Sequence, residues 1–365
     1  MTMSPDGDRL DDLRDEMERR HMIPLWELEA EIMGVLPKPR TVPWLWRWEN
    51  LYSIAERAGE LVPVERGGDR RAIALANPGQ EGMPYATSTL WAAVQWLNGH
   101  EVAPAHRHTS QAIRFIIDGA GSYSTVEGDK VFLERGDLVL TPPWTWHDHG
   151  SESAERAIWM DALDIPLNNF LDAPFFENYP EERQPVSEHL NGSVLKYGVG
   201  QMRPAWEGRS EDYPALMTYK WADTERALRG LAEVDADPYD DVMLEYTNPH
   251  TGGPVMKTFT CRIQMLRPGI HTHAHRHTGS SVYLAFEGSG ATVIDGVRFP
   301  WSAGDMFVVP SWAVHEHLNG ADGERAILFS VHDTPLLEAV DKYRVEPHAV
   351  AHQDVRGEFD AAVAV

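Results

Sequence analysis

The segment AHRHTSQAIRFIIDGAG, Ala105–Gly121, returns as AHRHTGSSVYLAFEGSG, Ala274–Gly290. Further on, GDLVLTPPWTWHDH from Gly136 answers to GDMFVVPSWAVHEH from Gly304, and ERAI closes each copy at Glu155 and Glu324. The offsets are 169, 168 and 169 residues, so one module has been duplicated with almost no change in length. Within the first copy, Ile113–Ile117 and Leu138–Leu140 are short apolar runs. Turn signals cut them at Asp118-Gly119-Ala120-Gly121, Glu127-Gly128-Asp129 and Arg135-Gly136-Asp137. The second copy is punctuated alike at Glu287-Gly288-Ser289-Gly290, Asp295-Gly296 and Ala303-Gly304-Asp305. Short strands separated by Gly-bearing turns predict a sandwich or barrel of the jelly-roll type in each copy.

Side chains alternate along a strand, so His106 and His108 point to one face. His147 follows a Pro-Pro turn and can close on that pair from a neighbouring strand. Three neutral imidazoles hold a divalent first-row metal and leave coordination positions open. An isolated His-x-His is more often polar surface. Here it precedes a Gly-Asp…Pro…His block at a fixed distance, and the whole pattern occurs twice, which favours a metal site. His275, His277 and His315 repeat the pattern and make a second metal possible. That copy has Tyr283 where the first has Arg114 and Ser330 where the first has Asp161, so the same chemistry is not expected there.

The pairing of these blocks resembles the cupin superfamily, and the doubling resembles a bicupin. The resemblance implies a mainly β fold: two jelly-roll β-barrels with N-terminal helices and a partly helical connection between them. Many cupins add a Glu ligand four or five positions after the second His, where this chain has Ala112 and Ile113. A metal without that carboxylate keeps one face open for a bidentate substrate and O2. PAHRHTSQAIRF, GDLVLTPPWTWHDHG and WMDALDIP resemble the gentisate 1,2-dioxygenases and their salicylate- and 1-hydroxy-2-naphthoate-cleaving relatives. That resemblance implies Fe(II), a small aromatic hydroxy acid and O2 as substrates, and cleavage of gentisate to maleylpyruvate. It also implies a homotetramer. Oxalate decarboxylation or a non-catalytic bicupin are the more distant alternatives. The missing Glu argues against the first and the intact triads against the second.

Arg114, in AIRF, has the parity to join the site, and a buried guanidinium there suits a substrate carboxylate. Arg66 and Arg70 resemble the family's further carboxylate-binding arginines. His149 is placed to exchange a proton with the substrate hydroxyl or with O2, and Asp161 to orient a histidine or accept a proton. Trp91 and Gln95, in LWAAVQWL, resemble the pocket wall. Ala93 lies between them, where a small residue affects which ring fits.

Residues 8–34, Trp44–Ala58 (with Gly59 as the stop), Asp223–Val234 and Pro335–Tyr343 read as helical. These are expected to be packing and oligomer-forming additions. The expected division is an N-terminal helical or extended arm over 1–88, the catalytic cupin over 89–165 and a connection over 166–255. The second cupin follows over 256–335, and a tail over 336–365. The net charge of −24 disfavours nucleic acid and anionic membranes as partners. It also requires any attraction for a carboxylate to be local. One cysteine, Cys261, excludes an internal disulfide and suits a reducing compartment. With neither a secretory leader nor a long apolar span in the sequence, a cytoplasmic location is expected.

Overall fold

The computed structural model describes residues 5–63, 71–198, 204–207, 215–320 and 323–360. Residues 1–38 and 39–365 form separate compact units. In the first, the helical stretch expected over 8–34 divides into Pro5–Arg19 and Leu25–Ile32. His21 takes a left-handed φ of 55° and Pro24 lacks the N–H that would continue the helix, so the chain turns between them. Arg14 ties the two helices through Glu27, at 2.6 Å.

The second unit holds two barrels, each made of two sheets. In the first barrel, one sheet runs in the order Thr218–Tyr219, Leu138–Thr141, Ala112–Asp118, Ala157–Leu163, Trp91–Leu97 and Ala72–Ala74. The other runs Phe176–Asn178, Val102–His108, His147–Ser151, Ser122–Val126 and Asp129–Leu133. The second barrel repeats this arrangement, with Ala326–His332 between Ser281–Glu287 and Thr260–Leu266. The strand AIRFIID shows no polar alternation because both of its faces are covered. Ile113, Phe115 and Ile117 join the core shared by the two barrels, where Phe115 stacks on Phe329 at 4.0 Å. Ile116 belongs to the core inside the first barrel, packed with Trp159, Val139 and Leu133. Cys261 is buried in the shared core.

The segment Trp44–Ala58 departs from its helical reading. Trp44–Trp46 is a strand, with Leu45 buried between two half-buried Trp side chains, and it pairs with Met306–Val309 of the second barrel. The helix begins at Trp48 and runs to Leu61, straight through Gly59. Gly59 serves close approach and does not terminate the helix, for a Cβ there would lie 2.5 Å from Trp96 Nε1. The mirror arrangement occurs at Thr218–Tyr219, which pairs with Leu138–Thr141 of the first barrel and leads into the helix Trp221–Val234.

Each preceding strand therefore pairs with the other barrel, and the helix after it is capped there, while the body of the helix packs on its own barrel, as Gly59 does against Trp96. The two helices occupy equivalent places in the repeat, each packed on the barrel that follows it. The Gly-Asp turn of each barrel supplies the docking point. Asp305 accepts the Trp48 N–H at 2.7 Å and the Arg47 guanidinium at 2.9 Å. Asp137 accepts the Trp221 N–H at 2.9 Å and the Lys220 ammonium. The helices' own N-cap residues, Arg47 and Lys220, make no side-chain cap bond, so a carboxylate from the other half satisfies that end. Gly136 and Gly304 have φ of +88° and +92°, and a Cβ on either would collide with the ring of Trp221 or Trp48.

A second reciprocal pair holds the halves together. Asp164 accepts the Gln111 N–H at 2.9 Å and the Thr258 hydroxyl at 2.7 Å. Asp333 accepts the Ser280 N–H at 2.9 Å and the Thr89 hydroxyl. Replacing Asp305 by Ala should cost about 2–4 kcal/mol, because it removes a helix cap and leaves a partly buried cation unpaired. Urea unfolding measures this, and a midpoint equal to that of the unmodified protein would contradict the cross-docking role.

Candidate metal centre and its cavity

His106 and His108 lie on the strand Val102–His108, and His147 opens the antiparallel strand beside it. The register shifts by one residue between Ala103 and His106, and this bulge sets His106 directly opposite His147. Ring centroids are 4.4 Å apart for His106–His147, 4.8 Å for His108–His147 and 5.7 Å for His106–His108. The Nδ1 atoms sit 2.8, 2.8 and 2.9 Å from the carbonyl oxygens of Pro104, Ser110 and Thr145. A carbonyl can only accept, so each Nδ1 carries the proton and each Nε2 keeps its lone pair. Burial pushes the His147 imidazole well below its usual range, with His106 and His108 adding to the effect. The three ligand atoms lie within 4.8 Å of one another, and among the described residues no Asp or Glu joins them. The donor set fits a divalent transition-metal ion whose remaining coordination is supplied from the cavity.

That cavity measures about 330 Å³. Trp91, Gln95, Arg114, His149 and Asp161 line it with the triad, together with Ala112, Ile113 and Leu163. Ala112 and Ile113, at the positions where other cupins carry Glu, present only apolar walls. The strand Trp91–Leu97 pairs regularly with Ala157–Leu163, so Ala93 shares the face of Trp91 and Gln95. It is fully buried and pairs with Asp161, and it is not among the residues that line the cavity. Arg66 and Arg70 lie outside the described residues.

Asp161, expected to orient a histidine or accept a proton, pairs instead with a guanidinium and an indole. Its Oδ1 accepts Arg114 Nε at 3.0 Å, and its Oδ2 accepts Arg114 Nη2 at 3.3 Å and Trp159 Nε1 at 3.1 Å. Arg114 and Asp161 face each other across paired strands, a neighbour relation that no local pattern encodes. The guanidinium also lies 4.2 Å above the Trp159 ring. Arg114 Nη1 is buried and has no partner. Burial raises the Asp161 carboxyl while Arg114 opposes the shift; the same burial lowers the Arg114 guanidinium.

His149 shares the cavity face of His147, and its Nδ1 is 2.8 Å from Ser124 Oγ. Burial, with Arg114 and His147 adding, keeps this imidazole well below its usual range. Phe176 was not singled out from the sequence. It stacks on His106 at 5.3 Å, and its strand pairs with the strand that carries His106 and His108. It lies beyond the repeat blocks, so only the strand pairing brings it to the cavity. The triad His275, His277 and His315 is brought together in the same way in the second barrel.

Two jelly-roll barrels, each with a cup of three imidazoles, define a bicupin of the metal-binding type. A cupin-domain family model matches residues 94–165 and 262–332. The chain is 39% identical to a 5-aminosalicylate 1,2-dioxygenase from Comamonas sp over 359 residues, 96% of this chain and 94% of the relative. It is 40% identical to a gentisate 1,2-dioxygenase from Streptomyces sp over 91% of this chain and 93% of the relative. The crystal structure of a salicylate 1,2-dioxygenase from Pseudaminobacter salicylatoxidans superposes with a TM-score of 0.88 at 35% identity. That match covers 96% of this chain and all of the other. The chain belongs to the family of gentisate, salicylate and 1-hydroxy-2-naphthoate 1,2-dioxygenases, and is a ring-cleaving dioxygenase.

Proposed function

We propose that the first cupin, with Fe(II) on His106, His108 and His147, cleaves gentisate with O2 to maleylpyruvate. The observation that carries this reading is the buried, unpartnered Nη1 of Arg114 in the wall of the triad's cavity. A buried guanidinium N–H without an acceptor is costly, and a substrate carboxylate supplies the acceptor. Asp161 holds the guanidinium from behind through Nε and Nη2, which leaves the remaining amino group for the ligand. Relatives named for 5-aminosalicylate, gentisate and 1-hydroxy-2-naphthoate share a ring with adjacent carboxylate and hydroxyl groups, which fits one anion contact beside a metal.

The ferrous ion, when bound, supplies a Lewis acid for the carboxylate and hydroxyl oxygens and a one-electron couple for O2. The chain's own residues do the rest. Arg114 orients the carboxylate. His149, neutral through burial, takes or returns the hydroxyl proton at Nε2, because the Ser124 hydroxyl can donate to Nδ1 or accept from it. Ala112, Ile113 and Leu163 keep water from the ring, and Trp91 and Gln95 bound its edge. The bond between the carboxyl-bearing and hydroxyl-bearing carbons opens, and both atoms of O2 enter the product. No outside reductant is consumed.

The test is anaerobic reconstitution with Fe(II), followed by O2 uptake and ultraviolet product spectra with gentisate, salicylate and 1-hydroxy-2-naphthoate in parallel. Gentisate should turn over fastest. In the same assay His149→Gln should lower kcat by roughly 10²–10⁴ with the iron content unchanged. No O2 uptake with any of the three acids would overturn the assignment, and a kcat unchanged in His149→Gln would remove the proton-transfer role.

A further inference from the structure

The second cup has nearly the dimensions of the first. His275 lies directly opposite His315, and the ring centroids are 4.3 Å apart for that pair, 5.1 Å for His277–His315 and 6.0 Å for His275–His277. His277 and His315 donate from Nδ1 to the carbonyls of Thr278 and Ala313, each at 3.1 Å, so their Nε2 atoms keep their lone pairs. His275 Nδ1 is buried without a partner. All three side chains are buried, and the three ligand atoms lie within 4.8 Å of one another. Nearby His332 does not complete the set, because Ser281 Oγ at 2.7 Å and Ser330 Oγ at 2.8 Å occupy its two nitrogens.

The surroundings differ in charge. The first cavity sets one carboxylate, Asp161, against one guanidinium, Arg114, whose Nη1 has no partner. The second, of about 340 Å³, sets Asp237 and Asp240 against Arg262. Arg262 stands at the repeat position of Ala93, and Glu245 on the adjoining strand already takes its Nε at 3.0 Å. Tyr283 replaces Arg114, and among the described lining residues Arg262 is the one fixed cation, outnumbered by Asp237 and Asp240. An excess of carboxylate favours a cation and repels an aromatic acid.

We propose that His275, His277 and His315 hold a second divalent first-row transition-metal ion, resident in the fold, that accepts no aromatic acid. The proposal is independent of the first cupin's reaction. Its two parts have separate causes: the imidazole cup binds the ion, and the acid-rich wall excludes the organic anion.

The test uses the His106→Ala/His147→Ala variant of the full chain, with folding checked by circular dichroism and with anaerobic cobalt(II) as the probe. This variant should retain about one cobalt per chain, with visible bands that saturating salicylate does not move. Adding His275→Ala and His315→Ala should abolish the retained ion. If the fourfold variant does not fold, cobalt should still raise the melting temperature of the twofold one. A folded twofold variant that binds no cobalt would overturn the site, and salicylate-shifted bands would overturn its closure to aromatic acids. The complementary His275→Ala/His315→Ala variant keeps the first cup. Absence of O2 uptake by a wild-type chain with both ions bound would sink the catalytic reading while leaving this one standing.

Discussion

His147→Ala should abolish ring cleavage and lower the metal content by about one ion per chain, leaving any ion of the second cup in place. His147 is the most buried of the first triad and the one whose ring lies close to both others. Without it, His106 and His108 come from a single strand, and two imidazoles do not hold a labile divalent ion against dilution. The stability cost should be the smaller effect. The deletion leaves the Thr145 carbonyl without its donor and opens space in a cavity that is already present. Elemental analysis and O2 uptake on one preparation decide the matter. Turnover that survives loss of the ion would place the chemistry elsewhere.

Arg114→Met should leave the metal bound and weaken binding of gentisate or salicylate. Losing a charged hydrogen bond costs about 1.5–3 kcal/mol, or roughly 10- to 150-fold in Kd. The variant also leaves Asp161 buried with only Trp159 Nε1 for company. That unpaired carboxylate adds repulsion toward the incoming acid and a stability loss of about 3–5 kcal/mol. The double variant Arg114→Met/Asp161→Asn separates these causes. It should recover stability without recovering affinity, because the amide removes the stranded charge but restores no cation. Anaerobic titration of the reconstituted protein gives Kd, and thermal unfolding gives the stability. Wild-type affinity in Arg114→Met would refute its contact with the carboxylate.

The chain's formal charge of −24 makes this local cation matter more. Long-range attraction for an aromatic carboxylate is absent, so recognition rests on short-range contacts inside a low-dielectric cavity. The Asp161 pairing keeps Arg114 charged despite a burial that works against it. The same pairing aims its remaining amino group.

Much of the site was legible in the sequence because its information is local. Strand alternation puts His106 and His108 on one face, the Gly-Asp and Pro-Pro signals place His147 after a strand, and the duplication raises this above chance. The same reasoning placed His149 on the cavity face with His147. The barrels themselves follow from short apolar runs between Gly turns.

Relations between distant segments were not legible. The helix over Trp48–Leu61 looked like an appendage, because the carboxylate that caps it, Asp305, lies 257 residues away. Trp44–Trp46 looked helical because a strand three residues long carries too little periodicity to declare itself, and its partner belongs to the other half. For Asp161 the sequence suggests orienting a histidine or accepting a proton, because it names a carboxylate near the site but not the side chain across the next strand, which is Arg114. The place of Arg262 is not legible locally, since its meaning depends on standing where Ala93 stands in the first barrel. The sequence alone therefore determined the two histidine triads, the duplication and the strand character of the barrels. Tertiary structure alone decided which half caps which helix, what partner each buried charge has, and which of the two cups faces a buried guanidinium nitrogen without an acceptor. Periodicity and turn chemistry act over a few residues, whereas a buried charge is settled by whatever the fold brings within a few ångströms of it.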